Sequence, residues 1–187
     1  HNITVTWDNE SHLIPIVITV GTPDYLVITG CASIAAAENC TYTWEVRDWR
    51  GNIANPNLAA PVTWSVDDGN ISQHGLFVAD HVGIHAINAR SSLGIHGTFV
   101  VEVTHGAILE IELIANRTSI TADDDISYST VRIDIRGNRL SVVLDPADWT
   151  VSNGSMVAGQ TPEWTPWTKG KQWVEASLEG VSSRVYI

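Results

Sequence analysis

The sequence predicts an all-β protein of two tandem antiparallel β-sandwiches preceded by an N-terminal strand or hairpin. Three observations predict it. First, the chain repeats itself. Thr43-Trp44-Glu45-Val46-Arg47-Asp48-Trp49-Arg50-Gly51-Asn52 is followed by Pro61-Val62-Thr63-Trp64-Ser65-Val66-Asp67-Asp68-Gly69. Later, Ser129-Thr130-Val131-Arg132-Ile133-Asp134-Ile135-Arg136-Gly137-Asn138 is followed by Ala147-Asp148-Trp149-Thr150-Val151-Ser152-Asn153-Gly154. The period of about 85 residues is too long for a solenoid unit and suits one small β-domain per copy. Second, apolar and polar residues alternate with period two nearly throughout, between turn residues. Third, no amphipathic helix stands out; the Ala-rich stretch from Cys31 to Asn39 is too short to hold one.

Taken in order, residues 1–20 stand outside the repeat. Ile3, Val5 and Trp7 alternate, Asp8-Asn9-Glu10-Ser11 reads as a turn, and Leu13 to Val20 is almost wholly apolar. Pro15 makes that run an edge strand, because proline cannot donate to a ladder. The first module is expected over 21–105, with strands near 24–30, 40–48, 61–66, 75–79, 83–90 and 97–104. The second covers 106–187, with strands near 108–115, 126–135, 140–144, 147–152, 163–165, 171–178 and 182–187. The joint His105-Gly106-Ala107 is short, so the modules are expected to touch.

The same inward positions recur in both modules. Trp64 and Trp149 take the mid-sheet site where a sandwich buries an indole. Ile87 with Ala89, and Val174 with Ala176, form the inward pair of the penultimate strand. Gly83 and Gly170 precede those strands, and Gly51-Asn52 and Gly137-Asn138 allow a tight bend. All of these read as packing or turn residues.

The turns Asp48-Trp49-Arg50-Gly51-Asn52 and Asp134-Ile135-Arg136-Gly137-Asn138 resemble the D-x-x-G-N turn of bacterial Ig-like domains, as in invasin and intimin stalks. Val62 to Ser72, Gly75-Leu76-Phe77 and Gly83 to Ala89 are similar to the related Ig-like repeats of prokaryotic surface proteins. The resemblance covers 21–187 and none of 1–20. It implies Ig-like sandwiches serving as scaffold at a cell surface, and fold alone does not fix a ligand. The second module departs from the pattern at Trp164-Thr165-Pro166-Trp167, where the first has Phe77-Val78-Ala79-Asp80.

Composition excludes several partners. The net charge is −11, with eight Arg and only Lys169 and Lys171, so no basic patch serves nucleic acid. No run of 18 apolar residues exists to span a membrane. The sequence opens on His1 rather than Met, as a cut within a longer chain or, more economically, a removed signal peptide would leave it. Cys31 and Cys40, the only cysteines, suit one disulfide in an oxidising compartment; two free thiols or a two-ligand zinc site are the other readings. Asn-x-Ser/Thr sequons at Asn2, Asn9, Asn39, Asn70, Asn116 and Asn153 take six of eleven asparagines. Chance would give about two, so N-glycosylation outside the cell is expected.

Catalytic patterns are missing: no Gly-x-Ser-x-Gly, no phosphate loop, no His-Glu-x-x-His. The expectation is no enzyme and no cofactor. Asp67-Asp68 and Asp123-Asp124-Asp125 make Ca²⁺ the one candidate ion, although the spacing fits no EF-hand. His81 and His85, on a continuous strand, would lie about 13 Å apart, too far to share a metal unless Gly83 folds them together; they read as a solvated face or loop. Trp164, Trp167 and Trp173 are expected either as a stacking platform for sugar, or with one or two of them buried in the core and the rest packed against a neighbouring domain or subunit.

The N-terminal segment is the sharpest candidate. Leu13, Ile14, Ile16, Val17, Ile18 and Val20 would gain about 10 kcal/mol on burial, before entropy is charged. Their host is their own module, as an extra edge hairpin, or a preceding domain of which they are the remnant, or a neighbouring subunit by strand addition; with Trp164 and Trp167 they are the expected subunit contacts. The sequence closes on Val185-Tyr186-Ile187, the last expected strand, so surface attachment is expected to run through polymerisation. The reading is therefore an extracellular filament or surface subunit joined head to tail by strand addition. The alternative is an adhesin or carbohydrate-binding module of a larger surface protein.

Overall fold

A computed structural model describes residues 2–122 and 124–187; His1 and Asp123, the first residue of the acidic Asp123-Asp124-Asp125 turn, lie outside the described residues. The first strands are β1 (Asn2–Trp7), β2 (Glu10–Pro15), β3 (Pro23–Thr29), β4 (Ser33–Ala35), β5 (Asn39–Thr41) and β6 (Thr43–Asp48). They are followed by β7 (Val62–Val66), β8 (Asn70–Ile71), β9 (Leu76–Val78), β10 (Gly83–Ser91) and β11 (His96–Thr104). The second half holds β12 (Ile108–Ala115), β13 (Ile126–Asp134), β14 (Arg139–Ser141), β15 (Trp149–Val151), β16 (Ser155–Val157), β17 (Glu163–Thr165), β18 (Trp173–Leu178) and β19 (Val181–Tyr186).

Buried apolar side chains fall into two clusters, one drawn from residues between Leu26 and Val103 and one from residues between Ile111 and Ala176. Each cluster lies inside its own β-sandwich. In the first, the sheet β4-β11-β10-β7 packs against β3-β6 and β5-β9-β8. In the second, β12-β13-β17-β16, with β14 alongside β13, faces β15-β18-β19. Period-two alternation sets which face is buried: Ile87 and Ala89 on β10 point inward with Val101 and Val103 on β11, while Val100 and Glu102, on either side of Val101, point out. Val174 and Ala176 repeat the pattern on β18. Trp64 and Trp149 are buried as expected of a mid-sheet indole.

Several elements differ from the sequence expectation. The Ala-rich Cys31–Asn39 stretch contains β4, which pairs in parallel with β11. The expected strand over 40–48 is two strands in two sheets, broken at Tyr42. The reason is the Tyr42 ring, which turns into the core against Phe77 and Phe99, with ring centroids 6.2 and 5.5 Å away. Its hydroxyl donates to the Cys31 carbonyl at 2.7 Å. Gly30 makes room for it: a Cβ there would sit 2.2 Å from the ring. Finally, the expected strand over 147–152 shortens to β15, because Pro146–Asp148 forms a 3-10 turn.

Cys31 and Cys40 are disulfide-bonded, with Cα atoms 6.3 Å apart. The bond closes the loop carrying β4. Arg117 and Ile126 stand at the matching places in the second sandwich, 86 residues on. Replacing both cysteines by serine is expected to cost about 2–3 kcal/mol through loop entropy, read as a lowered denaturant midpoint; an unchanged midpoint would show that β4 holds the loop by itself.

The N-terminal segment forms its own hairpin. β1 pairs with β2 from Asn2↔Pro15 to Trp7↔Glu10. Asp8 and Asn9 take φ of 51° and 68°, the two-residue turn that suits strand twist. Among the described residues the hairpin joins no other sheet, and all twelve of its positions are exposed. The expected Leu13–Val20 strand stops at Pro15, which has no N–H to continue the ladder; residues 16–20 lie outside any strand.

Candidate assembly interface

Between the two sandwiches, the repeated Asp-x-Arg-Gly-Asn turn does more than bend the chain. β13 ends at Asp134, whose side chain is fully buried. Its carboxylate accepts from the Gly106 N–H at 3.0 Å, the Arg136 N–H and Asn138 N–H at 2.9 Å, and the Asn138 side-chain amide at 2.9 Å. Burial opposes its charge, but the hydrogen bonds from Asn138, Gly106 and Arg136 outweigh burial and hold the carboxyl below its ordinary range. The joint backbone is thereby tied to the second sandwich: Ile135 N–H donates to the Ala107 carbonyl at 3.0 Å, and Arg132 Nη2 to the Gly106 carbonyl at 2.7 Å.

The turn also reaches back to the first sandwich. Asn138 Nδ2 donates to the Asp80 carbonyl at 3.0 Å, and its Oδ1 accepts from the Val82 N–H at 3.1 Å. Arg136 Nε lies 3.2 Å from the Asp80 carboxylate. One asparagine thus clamps two backbone groups of the 80–82 loop, and one arginine adds a charge pair. The expectation that Gly137 and Asn138 serve only turn and packing is corrected here: Asn138 is a joint residue. Asp134 and Arg136 were also missed as joint residues, although the motif that repeats at Asp48 and Arg50 carried the signal.

The matching turn of the first sandwich is built alike and open on its far side. Asp48 accepts from Gly21, Arg50 and Asn52 N–H groups at 2.8, 3.0 and 2.9 Å, and from the Asn52 amide. These bonds, the Asn52 side chain foremost, hold its pKa at about 2. Gly21 therefore stands where Gly106 stands in the joint. Asn52 is exposed, and Arg50 stacks over the exposed Trp49 ring at 3.8 Å.

The expected tryptophan cluster separates. Trp164 is 0% exposed, with its Nε1 donating to the Asn153 carbonyl at 2.7 Å, so the expectation that it is a surface contact is corrected: it is core. Trp173 is half-buried with Arg184 over its ring. Trp167 alone stands out, 65% exposed, at the place where the first sandwich has Asp80. Leu13, Ile14, Ile16, Val17, Ile18 and Val20 are all exposed.

The histidine pair is folded together by the turn at Gly83, unlike on a continuous strand. His81 Nδ1 lies 3.0 Å from Asp68, and His85 Nε2 lies 2.9 Å from the His81 carbonyl. His85 is largely covered, so the solvated-face expectation fails for it. Asp67 Oδ1 accepts the Ala86 N–H at 3.0 Å. Among the described residues no group of three His, Cys, Asp or Glu is placed to hold a metal. Hydrogen bonding to Asp68 raises His81 above its ordinary pKa and lowers Asp68. The pair is therefore whole between about pH 4 and 6.5 and fades as pH rises through the raised histidine value. Asp68→Asn should return His81 toward an unpaired imidazole in an NMR titration; an unmoved value would remove the pairing.

Of the sequon asparagines, Asn2, Asn9, Asn39, Asn70 and Asn116 are exposed. Asn153 is half-buried, its side chain accepting from the Trp167 N–H at 2.9 Å and donating to Gln172. That engagement disfavours it as a glycan site.

No protein-family model matches the chain, and no curated protein matches it. Among solved structures, the FdeC adhesin of Escherichia coli is similar over 100% of this chain and 72% of its own, at 12% identity and a TM-score of 0.50. Domains 4 and 5 of the S-layer protein SbsC are similar over 89% of this chain and 98% of theirs, at 16% identity and a TM-score of 0.38. A structure of SbsC domains 1–6 covers 95% of this chain, which spans 28% of it, at 13% identity and a TM-score of 0.36. At 12% identity, the likeness to FdeC is one of fold.

Proposed function

We propose that this chain is a structural subunit of an extracellular surface assembly, joined head to tail, with its N-terminal segment adding strands to a neighbouring copy. The observation that carries the reading is the isolated β1–β2 hairpin. Its Ile3, Val5 and Ile14 share one face, and no other sheet of the described residues covers them. A lone two-stranded hairpin is marginal in water, so a covering partner stabilises it. The disulfide and the five exposed sequons suit an oxidising, glycosylating location. No helix of the described residues is long and apolar enough to cross a membrane. A contact that joins unlike ends propagates as an open fibre unless rotation closes it.

A carbohydrate-binding role is the weaker reading, because burial of Trp164 leaves Trp167 without its expected partner for a stacking platform. Light scattering of the full chain beside a chain lacking residues 2–20 tests the proposal. The full chain should rise with concentration above its 20.3 kDa mass, and the shortened chain should not. A full chain that stays monomeric overturns it.

A further inference from the structure

Two sequons that are distant in sequence meet on one face of the first sandwich. In the sheet β5-β9-β8, Asn39 and Asn70 both stand opposite Val78. The three residues form one row, with the asparagines two strand spacings, about 10 Å, apart. The buried Cys40 and Phe77 take the next row and face the core, so alternation turns the asparagine row outward. β5 and β8 both run antiparallel to β9, so the two sequons run side by side in one direction. Thr41, the hydroxyl residue of the first sequon, pairs with Leu76, which is 42% exposed. The outer face therefore carries two sequons with two aliphatic side chains, Leu76 and Val78, between them.

The second sandwich keeps the backbone of this sheet and changes its chemistry. Gly69 and Gly154 lead into β8 and β16 with φ of 84° and 92°. A Cβ on either would lie 2.6 Å from the Val78 carbonyl or 2.1 Å from the Thr165 carbonyl. Ile126↔Trp164 and Ser155↔Thr165 match Cys40↔Phe77 and Asn70↔Val78. The matching row is thus Asp125, Thr165 and Ser155, and Glu163 takes the place of Leu76. That row is polar, and the Thr165 hydroxyl donates to the Asp125 carboxylate. The aliphatic pair and the sequon pair are present together in one sandwich and absent together from the other. A sheet face turned to water is ordinarily polar, as it is in the second sandwich.

We infer that Asn39 and Asn70 are glycosylated as a pair and that the first sugar of each packs on Leu76 and Val78; this rests on the extracellular reading above and names what covers that face. Neither asparagine side chain has a hydrogen-bond partner among the described residues, so both Nδ2 atoms are open. Asn116 differs, because its Oδ1 accepts from the Ser127 N–H at 3.1 Å. The sugar donor is an oligosaccharide held through its anomeric carbon by a lipid pyrophosphate. Its C1–O bond breaks as Nδ2 bonds to C1. The pyrophosphate leaves with the electron pair, the amide proton passes to solvent, and nothing is oxidised or reduced. The C–H face of a sugar ring laid on Leu76 or Val78 takes apolar surface of both out of water. The bulk of two glycans also keeps this face out of any contact between copies.

The test is peptide mass spectrometry of the chain as its own cells make it, after an amidase that leaves aspartate wherever it removes an N-linked sugar. Asn39 and Asn70 should both be converted. If both stay asparagine while Asn2 or Asn9 is converted, the pair is overturned and the strip is open to a protein partner. If every sequon stays asparagine, the glycosylating location falls with it. Packing is read by amide hydrogen exchange. Against the glycosylated chain, Asn39→Gln/Asn70→Gln should exchange about threefold faster or more at Phe77 and Val78. In a Leu76→Ser/Val78→Thr background, which keeps both sequons, loss of the sugars should leave exchange unchanged. Equal quickening in both backgrounds overturns the packing. Both sites occupied in a protein that stays monomeric by light scattering keeps the inference and removes the head-to-tail reading. Bare Asn39 and Asn70 in a chain that associates do the reverse.

Discussion

Asp134→Ala is expected to destabilise the second sandwich by about 3–5 kcal/mol, because several buried donors lose the one acceptor they share. Four donors converge on this carboxylate: the Gly106, Arg136 and Asn138 backbone N–H groups and the Asn138 amide. Each buried donor left unpaired costs about 1–3 kcal/mol, less what water recovers. The loss should show as a lower denaturant midpoint. Signals from Val82, which the Asn138 side chain holds, should shift as well. A change confined to the turn itself would show that the joint does not depend on it. Acid carries the same information. Asp48 has a folded pKa of about 2, and Asp134 is likewise lowered. A lowered carboxyl binds its proton more weakly in the folded chain than in the unfolded one. Stability is thus complete above about pH 4 and falls as pH drops toward 2. Asp48→Asn and Asp134→Asn should flatten that fall while lowering stability at neutral pH.

Trp164→Ala is the second large effect, expected at about 3–5 kcal/mol for an aromatic removed from a closed core. Trp164 packs with Ile126, Tyr128 and Val174 in the second core, and its indole N–H satisfies the Asn153 carbonyl. Trp167→Ala three residues on should stay within about 0.5 kcal/mol, since its ring stands in solvent. Its effect should fall on self-association, where an aromatic at the centre of a contact carries much of the energy. If the two substitutions cost the same stability, Trp167 is packed in solution and cannot serve the contact.

The fold was readable because alternation and repetition are local signals. Ile87, Ala89, Val174 and Ala176 announce their inward faces by spacing alone. β4 was not readable: Ser33-Ile34-Ala35 has little strand character, and it is a strand only because β11 lies beside it. Its counterpart at 118–122, with the same Ser-Ile core, forms none. The break at Tyr42 was hidden for a similar reason, since the ring leaves the alternation to fill a core that distant residues build. Cys31–Cys40 was legible as a pair by count. At the joint, the Asp-x-Arg-Gly-Asn motif was visible twice, but its use was not. Asn138 reaches the Asp80 carbonyl and the Val82 N–H across 58 and 56 residues, and no local pattern reports a contact of that range. Trp164 and Trp167 look alike in sequence, and the direction of β17 decides which one is buried.

The head-to-tail account stands on the β1–β2 hairpin, whose apolar face of Ile3, Val5 and Ile14 no other sheet of the described residues covers. Sedimentation of the full chain beside its Ile3→Asp/Ile14→Asp variant measures it most directly. The account predicts that the full chain associates as its concentration rises and that the variant, with its apolar face lost, stays at one copy. A full chain that stays at one copy, or a variant that associates as strongly, would contradict it.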